Sequence, residues 1–148
     1  MLIEGQFTMN APIQKVWDSL LDPQTLGSCV PGTEKMEALD AETYESVVKQ
    51  RVGPIKVTLN FTTKLTEVTP PKYIKAVGRG KALLGMGTFS TEIEVKLNET
   101  EPNKVEVSYN ANISLVGRLA TFGERIMRAK SKEVGDEFTE NLRKKLEA

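Results

Sequence analysis

The chain has no histidine, a single cysteine and no net charge, with 20 Lys plus Arg against 20 Asp plus Glu. Without histidine there is no imidazole to activate a nucleophile, ligate a metal, or titrate near neutrality with an unperturbed pKa. Cys29 has no partner for an internal disulfide, and it cannot alone build a zinc site of the usual kind. Balanced charge removes any global field that would favour nucleic acid or an anionic membrane. Long apolar runs are missing too. No window approaches the ~20 apolar residues of a membrane span. Met1 to Met9 has neither the basic stretch nor the apolar run of a signal peptide. These absences predict a soluble, cytoplasmic protein with no metal centre and no nucleic-acid partner. The Asn-x-Ser/Thr triplets at Asn60, Asn98 and Asn112 are then chance matches, because glycosylation requires secretion. Any catalysis would rest on carboxylates, lysine or tyrosine.

A length of 148 residues predicts one domain, residues 1–148, able to bury a real core. Its patterning is clear. In residues 85–97, Gly85, Gly87, Phe89, Thr91, Ile93, Val95 and Leu97 alternate with a polar set that includes Glu92, Glu94 and Lys96. In residues 105–115, Val105, Val107, Tyr109, Ala111, Ile113 and Leu115 share one side. Such period-2 runs predict half-buried antiparallel strands with one wet face. Residues 2–9, 33–39, 42–52, 55–68 and 72–79 supply five more strands, the last with weaker patterning. Asn10-Ala11-Pro12 reads as a helix start, with Asn10 able to cap and Pro12 tolerated in the first turn. Ile13, Val16, Trp17 and Leu20 follow at helical spacing. Asp22-Pro23 opens a second short helical turn that ends before Cys29. From Arg118 to Leu146 the period is helical without interruption. The predicted fold class is α+β: a seven-stranded curved antiparallel sheet, two short helices after strand one, and one long C-terminal helix.

Residues 85–97 extended at ~3.3 Å each, and residues 118–146 coiled at ~1.5 Å each, both span about 43 Å. A compact domain of this size has a radius of gyration of roughly 15 Å. Both elements must cross the whole molecule, so the sheet twists and curls around the helix. Gly85 and Gly87 mark where such a strand could bend.

The helix carries an apolar stripe of Leu119, Phe122, Ile126, Ala129, Val134, Phe138 and Leu142, most of it core packing. Opposite its first half the sheet offers Phe61, Phe89, Thr91 and Tyr109. Apolar walls with a few hydroxyls describe a small-molecule pocket. The expected ligand-binding set is Phe61, Phe89, Thr91, Tyr109, Leu119, Phe122 and Ile126, with Tyr109 or Thr91 bonding the ligand's polar end. Gly123 costs a helix up to ~1 kcal/mol relative to alanine. Close approach of a ligand or partner, or proximity to the two short helices, would account for it. Arg118, Arg125, Arg128, Lys130 and Lys132 face only Glu124 in the helix's first half. They serve either an acidic partner or lipid headgroups, or they are a solvated face. Gly78-Arg79-Gly80 and Gly85-Met86-Gly87 precede no helix, so neither is a phosphate cradle. Glu92 and Glu94 lie on the wet side of their strand. The inward sets hold no carboxylate or lysine, and no catalytic residue is assigned.

Pro12 with Val16-Trp17, Asp22-Pro23, Cys29-x-Pro-Gly32, Val52-Gly53-Pro54, and Gly117-Arg118-Leu119-Ala120 with Gly123 follow one another in order. In these elements the chain resembles the carbon monoxide dehydrogenase G-subunit family, over nearly its whole length. That family lies in the helix-grip superfamily of Bet v 1-like, lipid-transfer and polyketide cyclase-like proteins. The resemblance implies a hydrophobic pocket between sheet and long helix. It also implies an accessory role for molybdenum-containing oxidoreductases of the carbon monoxide dehydrogenase type, in membrane recruitment and quinone handling. It does not imply that this chain itself binds molybdenum. Many members continue into a membrane-anchoring segment, whereas this chain stops at Ala148, so direct anchoring is not expected of it and a short homologue can serve another enzyme; the expected place is cytoplasmic, peripheral at the inner membrane face.

The expected function is thus non-enzymatic: holding a quinone-like or lipid-like molecule for a partner oxidoreductase. Two alternatives stand beside it. A cyclase or hydrolase of the same fold would need an inward carboxylate or lysine with a perturbed pKa. An assembly factor would have a collapsed core and no ligand.

Overall fold

The computed structural model describes residues 1–147. The chain runs β1 (Leu2–Met9), α1 (Ile13–Leu21), α2 (Pro23–Cys29), β2 (Thr33–Ala38), β3 (Thr43–Val52) and β4 (Ile55–Thr69). It continues through β5 (Tyr73–Ala82), β6 (Gly87–Glu101), β7 (Lys104–Val116), a 3-10 helix (Gly117–Phe122) and α3 (Glu124–Leu146). All seven strands form one antiparallel sheet in the order β1-β7-β6-β5-β4-β3-β2. Each strand from β2 onward pairs with its successor, and β1 returns to close on β7. This is the expected seven-stranded α+β fold.

Antiparallel pairing puts side chains from neighbouring strands in rows across the concave face. One row runs Ser46, Phe61, Gly80, Phe89 and Leu115. The next holds Tyr44, Thr63, Gly78, Thr91 and Ile113. Below it come Leu65, Ala76, Ile93, Ala111 and Ile3, and then Ile74, Val95, Tyr109 and Gly5.

The short helices close the lower end. Asp22 caps α2 by accepting from the Thr25 amide at 3.2 Å and the Thr25 hydroxyl at 2.6 Å, as the Asp-Pro pair predicted. Asn10 does not cap α1. The N-cap is Pro12, with no side-chain bond, and the Asn10 amide instead donates to the Glu147 carboxylate. Val16, Trp17 and Cys29 pack with Met9, Val105, Val107, Leu97, Leu142 and Leu146 into the main apolar core. A second cluster of Val52, Val57, Ala82 and Leu119 closes the upper end, with Leu59, Met86, Phe89, Leu115, Phe122 and Met127 against it.

The uninterrupted helix over 118–146 is not observed. Residues 117–122 form a 3-10 helix, and α3 starts at Glu124 after a break at Gly123, whose φ is 85° and ψ 154°. That conformation is open only to glycine. A side-chain carbon built on Gly123 would meet nothing within 4 Å. Neither a close neighbour nor the short helices explain this glycine; the backbone does. The break resets the helical phase. Ile126 is 48% exposed and Ala129 is exposed, while Met127 joins the upper cluster. Val134, Phe138 and Leu142 keep their inward places. The strand expected from Gly85 starts at Gly87 and runs on to Glu101, so Gly85 belongs to the β5–β6 turn, not to a bend within a strand.

Candidate functional site

Burial along β7 shows where the interior opens. Val105 is 0% and Val107 1% exposed, but the inward residues Tyr109, Ala111, Ile113 and Leu115 are only half-buried. On β6 and β4, Phe61, Thr63, Phe89, Thr91 and Ile93 are likewise half-buried. A face that packs tightly at its lower end and stays reachable by solvent above it has space between it and the helix. The total surface agrees. A folded monomer of 16.4 kDa exposes about 7,500 Å², and this one exposes 8481 Å². The excess is roughly 1,000 Å².

Small residues keep the middle open. Thr63, Ala76, Gly78, Gly80 and Ala111 occupy its central positions. Within the sheet, β5 contributes Ala76, Gly78, Gly80 and Ala82 on one face, an alternation with hardly any hydrophobic contrast. For that reason the weak patterning at 72–79 concealed it.

Beside α3 a groove of about 530 Å³ opens between the helix and β1. Ile3, Gly5, Phe7 and Tyr109 line its sheet side, and Ser131, Lys132, Gly135 and Asp136 are among those on its helix side. Tyr109 is held there by two glycines. A side-chain carbon on Gly5 would overlap the Tyr109 hydroxyl and its ring carbon Cζ, and one on Gly135 would lie 3.0 Å from the hydroxyl oxygen. The Phe7 ring sits 6.5 Å away, tilted by 54°. Burial pushes the Tyr109 pKa up; the Asp136 carboxylate adds to the rise and the Lys132 ammonium opposes it. Tyr109 therefore stays a neutral hydroxyl at physiological pH, able to donate to an acceptor in the groove.

The groove also contains one edge of β1. The Met1 amine donates to the Ile113 carbonyl and the Ile113 amide to the Met1 carbonyl, both at 2.8 Å. Odd-numbered β1 residues thus bond to β7, and the backbone groups of Leu2, Glu4, Gln6 and Thr8 point away. Arg128 donates to the Leu2 carbonyl at 2.6 Å and Arg143 to the Thr8 carbonyl at 3.0 Å.

The nominated residues fall into separate places. Phe61 and Phe89 meet edge to face, with centroids 5.7 Å apart and planes at 65°. Leu119, 3% exposed, and Phe122 join them around the upper cluster. Thr91 lies one row lower, its methyl reaching across Gly78. Tyr109 is two further rows down, beside the groove. Ile126 is turned outward by the helix break. Lys130 was missed: its side chain is only 16% exposed, on the inner flank of α3, with its ammonium 3.4 Å from Glu133. The inward surface therefore does include one lysine. Of the other nominated helix cations, Arg128 pairs with Glu124 and Lys132 with Asp136, while among the described residues Arg118 and Arg125 are in no salt bridge.

An antiparallel sheet curved round a C-terminal helix, with room kept between them, is the helix-grip fold of START and Bet v 1-like proteins. Solved structures that share it include the following three. A conserved protein from Geobacillus kaustophilus superposes with a TM-score of 0.90 at 20% identity, over 99% of this chain and 95% of that one. A START superfamily protein from Mycobacterium smegmatis gives 0.76 at 9% identity, over 99% and 97%. The Zhui aromatase/cyclase from Streptomyces sp. R1128 gives 0.71 at 16% identity, over 99% and 93%. No curated protein matches the chain in sequence. Residues 5–147 match the carbon monoxide dehydrogenase G-subunit (CoxG) family, and the chain belongs to that family. Among the described residues no helix is long and apolar enough to cross a membrane.

Proposed function

We propose that the protein is a non-enzymatic accessory protein that holds an elongated hydrophobic molecule between α3 and the sheet. The carrying observation is the half-buried middle of the concave face, lined by small and hydroxyl-bearing residues between two packed ends. Phe89 and Val95, which stand in the rows of Phe61 and Tyr109 respectively, are six residues apart on β6. At ~3.3 Å per residue these rows lie about 20 Å apart. An occupant touching both is long and thin, with its apolar end against Phe61, Phe89, Leu119 and Phe122. Its polar end meets the Tyr109 hydroxyl, with Thr91 along its path. An isoprenoid quinone or a lipid has that shape and polarity. The groove of about 530 Å³ beside Tyr109 takes the polar end alone, since none of Phe61, Thr91, Phe89, Leu119 or Phe122 lines it.

Family membership supports a role beside a molybdenum oxidoreductase of the carbon monoxide dehydrogenase type, supplying or receiving its electron acceptor at the inner membrane face. The Zhui relative is an aromatase/cyclase by name. Of the described residues, the titratable groups on the middle of the concave face include Tyr44 and Tyr109, with Lys130 on the helix side paired to Glu133, while Cys29 is buried in the lower core, where burial raises its pKa. Burial raises the pKa of both tyrosines, which suits them to donate hydrogen bonds and not to act as bases. The test is organic extraction of the purified protein with mass spectrometry, together with fluorescence titration by a menaquinone analogue. A co-purifying prenyl quinone or lipid, and affinity that Tyr109→Phe weakens, is the expected result. No extractable ligand and no affinity for the analogue would refute the reading.

A further inference from the structure

The outer strands of an open sheet carry main-chain groups without a neighbour, and soluble proteins guard them with short strands, bulges and charged side chains. The edge at β2 has all three. It is six residues long, its register shifts between Thr33 and Lys35, and Glu34, Lys35 and Glu37 stand in surface ion pairs. The edge at β1 is guarded only at its ends. Arg128 takes the Leu2 carbonyl, Arg143 the Thr8 carbonyl, and Glu147 the Asn10 amide. Between them the N–H and C=O groups of Glu4 and Gln6 point away from β7 and, among the described residues, meet no partner.

This stretch is reachable. Glu4 and Gln6 are exposed, and both line the groove beside α3 with Gly5 between them. A second hollow of about 370 Å³, which reaches Lys96, Ser108 and Asn110, flanks the same two residues on the outer face of the sheet. From Leu2 to Thr8 the strand covers about 20 Å at ~3.3 Å per residue. The two arginines therefore bracket a short length of open edge that offers two donors and two acceptors.

We propose that this length of β1 is a docking edge for an extended segment of a partner protein, added antiparallel as an eighth strand. Two residues of the segment, opposite Glu4 and Gln6, would each exchange two main-chain hydrogen bonds, four in all. The residue between them lies opposite Gly5 and turns its side chain inward, toward Ile3, Phe7 and Tyr109, so a small or apolar residue suits it. Charge is balanced along the groove, with Arg128, Lys132 and Arg143 against Glu4, Asp136 and Glu140. The main chain, and not charge, selects the segment. A second copy of the chain fits the edge less well. Its own β1 would bring another α3, another Arg128 and another Arg143 against the same groove, whereas a segment without a fold of its own brings none of them. The pairing uses the main chain of β1 and needs no molecule in the interior, so ligand extraction and segment binding succeed or fail separately.

The experiment selects binders from a phage-displayed library of random octapeptides on the full chain, then titrates a selected synthetic peptide into isotope-labelled protein followed by NMR. The Glu4 and Gln6 amides should exchange freely with solvent in the free protein and become protected with peptide bound. A nuclear Overhauser contact should join the Gly5 and peptide α-protons, as close non-hydrogen-bonded antiparallel pairs require. Gln6→Pro removes one outward amide at an edge position that tolerates proline. It should weaken binding roughly fivefold or more, the worth of one main-chain hydrogen bond, with the melting temperature little changed. N-methylation of the peptide at its two paired residues tests the same bonds without touching the fold, and should abolish binding. High salt should leave the affinity unchanged. Failure to select any peptide, protection of amides elsewhere than β1, affinity lost in salt, or indifference to N-methylation would overturn the proposal. So would self-association sensitive to Gln6→Pro without peptide binding, which would assign the edge to a second copy of the chain.

Discussion

Replacing Gly5 by alanine should destabilise the fold through a residue it never neighbours in sequence. The added carbon would fall on the Tyr109 hydroxyl and ring, lying 2.8 Å from Cε1, so the ring must shift from the place it occupies between β1 and Gly135 of α3. Overpacking of this kind costs about 1–3 kcal/mol. Alanine also removes freedom from the unfolded chain, which offsets about 0.4–1 kcal/mol of that cost. The net expectation is a loss of about 0.5–2 kcal/mol, or a fall of roughly 2–6 °C in melting temperature for a domain of this size. The partner variant is Tyr109→Ala. It removes the overlap, so Gly5→Ala in that background should be neutral or stabilising. Urea unfolding of the two single variants and the double, followed by circular dichroism, measures the coupling. It should be about 1–3 kcal/mol, well above the ~0.5 kcal/mol scatter of independent sites. Additive effects, or a Gly5→Ala variant more stable than the parent, would show that Tyr109 is not held between these glycines.

Two further outcomes follow from the same coordinates. Leu142 is 0% exposed and Ile126 48%, so Leu142→Ala should lose about 2–5 kcal/mol and Ile126→Ala no more than about 0.5 kcal/mol. Equal losses in denaturant midpoints would restore the uninterrupted helix and its single stripe. The second outcome concerns alkaline pH. Burial is the chief cause raising the pKa of both Tyr44 and Tyr109, with Asp22 and Asp136 respectively adding to it. Unfolded tyrosine ionises near pH ~10, before the folded groups do, so this stability is fully present below pH ~10 and is lost as pH rises through the folded values. Urea midpoints should fall above pH ~10 while tyrosinate absorbance lags behind that of the free amino acid. A flat midpoint would contradict the assignment, and Tyr109→Phe should reduce the slope.

The strands were legible because alternation is local: Val105, Val107, Tyr109, Ala111, Ile113 and Leu115 announce a face without reference to any other segment. The Asp22-Pro23 start of α2 was legible for the same reason. Gly123 misled because a glycine inside a periodic apolar run reads as a costly helix residue, and only its backbone angle shows that it ends one helix and begins another. That error moved Ile126 outward and hid Met127 and Lys130. The site was partly readable. Phe61, Phe89, Leu119 and Phe122 do gather, since they share neighbouring rows and the closing 3-10 helix. The place of Tyr109 was beyond local pattern, because it depends on Gly5 and Gly135, which come from distant parts of the chain.

The arginine clasps on β1 have a bearing on synthesis. β1 and its partner β7 are separated by residues 10–103, which a ribosome adds in about 5–20 s at ~5–20 residues per second. Until β7 is made, both sides of β1 lack their hydrogen-bond partners, and until α3 follows, Leu2 and Thr8 lack Arg128 and Arg143. An unpaired strand is a template for strands of other chains. The nascent protein is therefore most vulnerable to association with its own copies during the interval in which its first strand waits for its last.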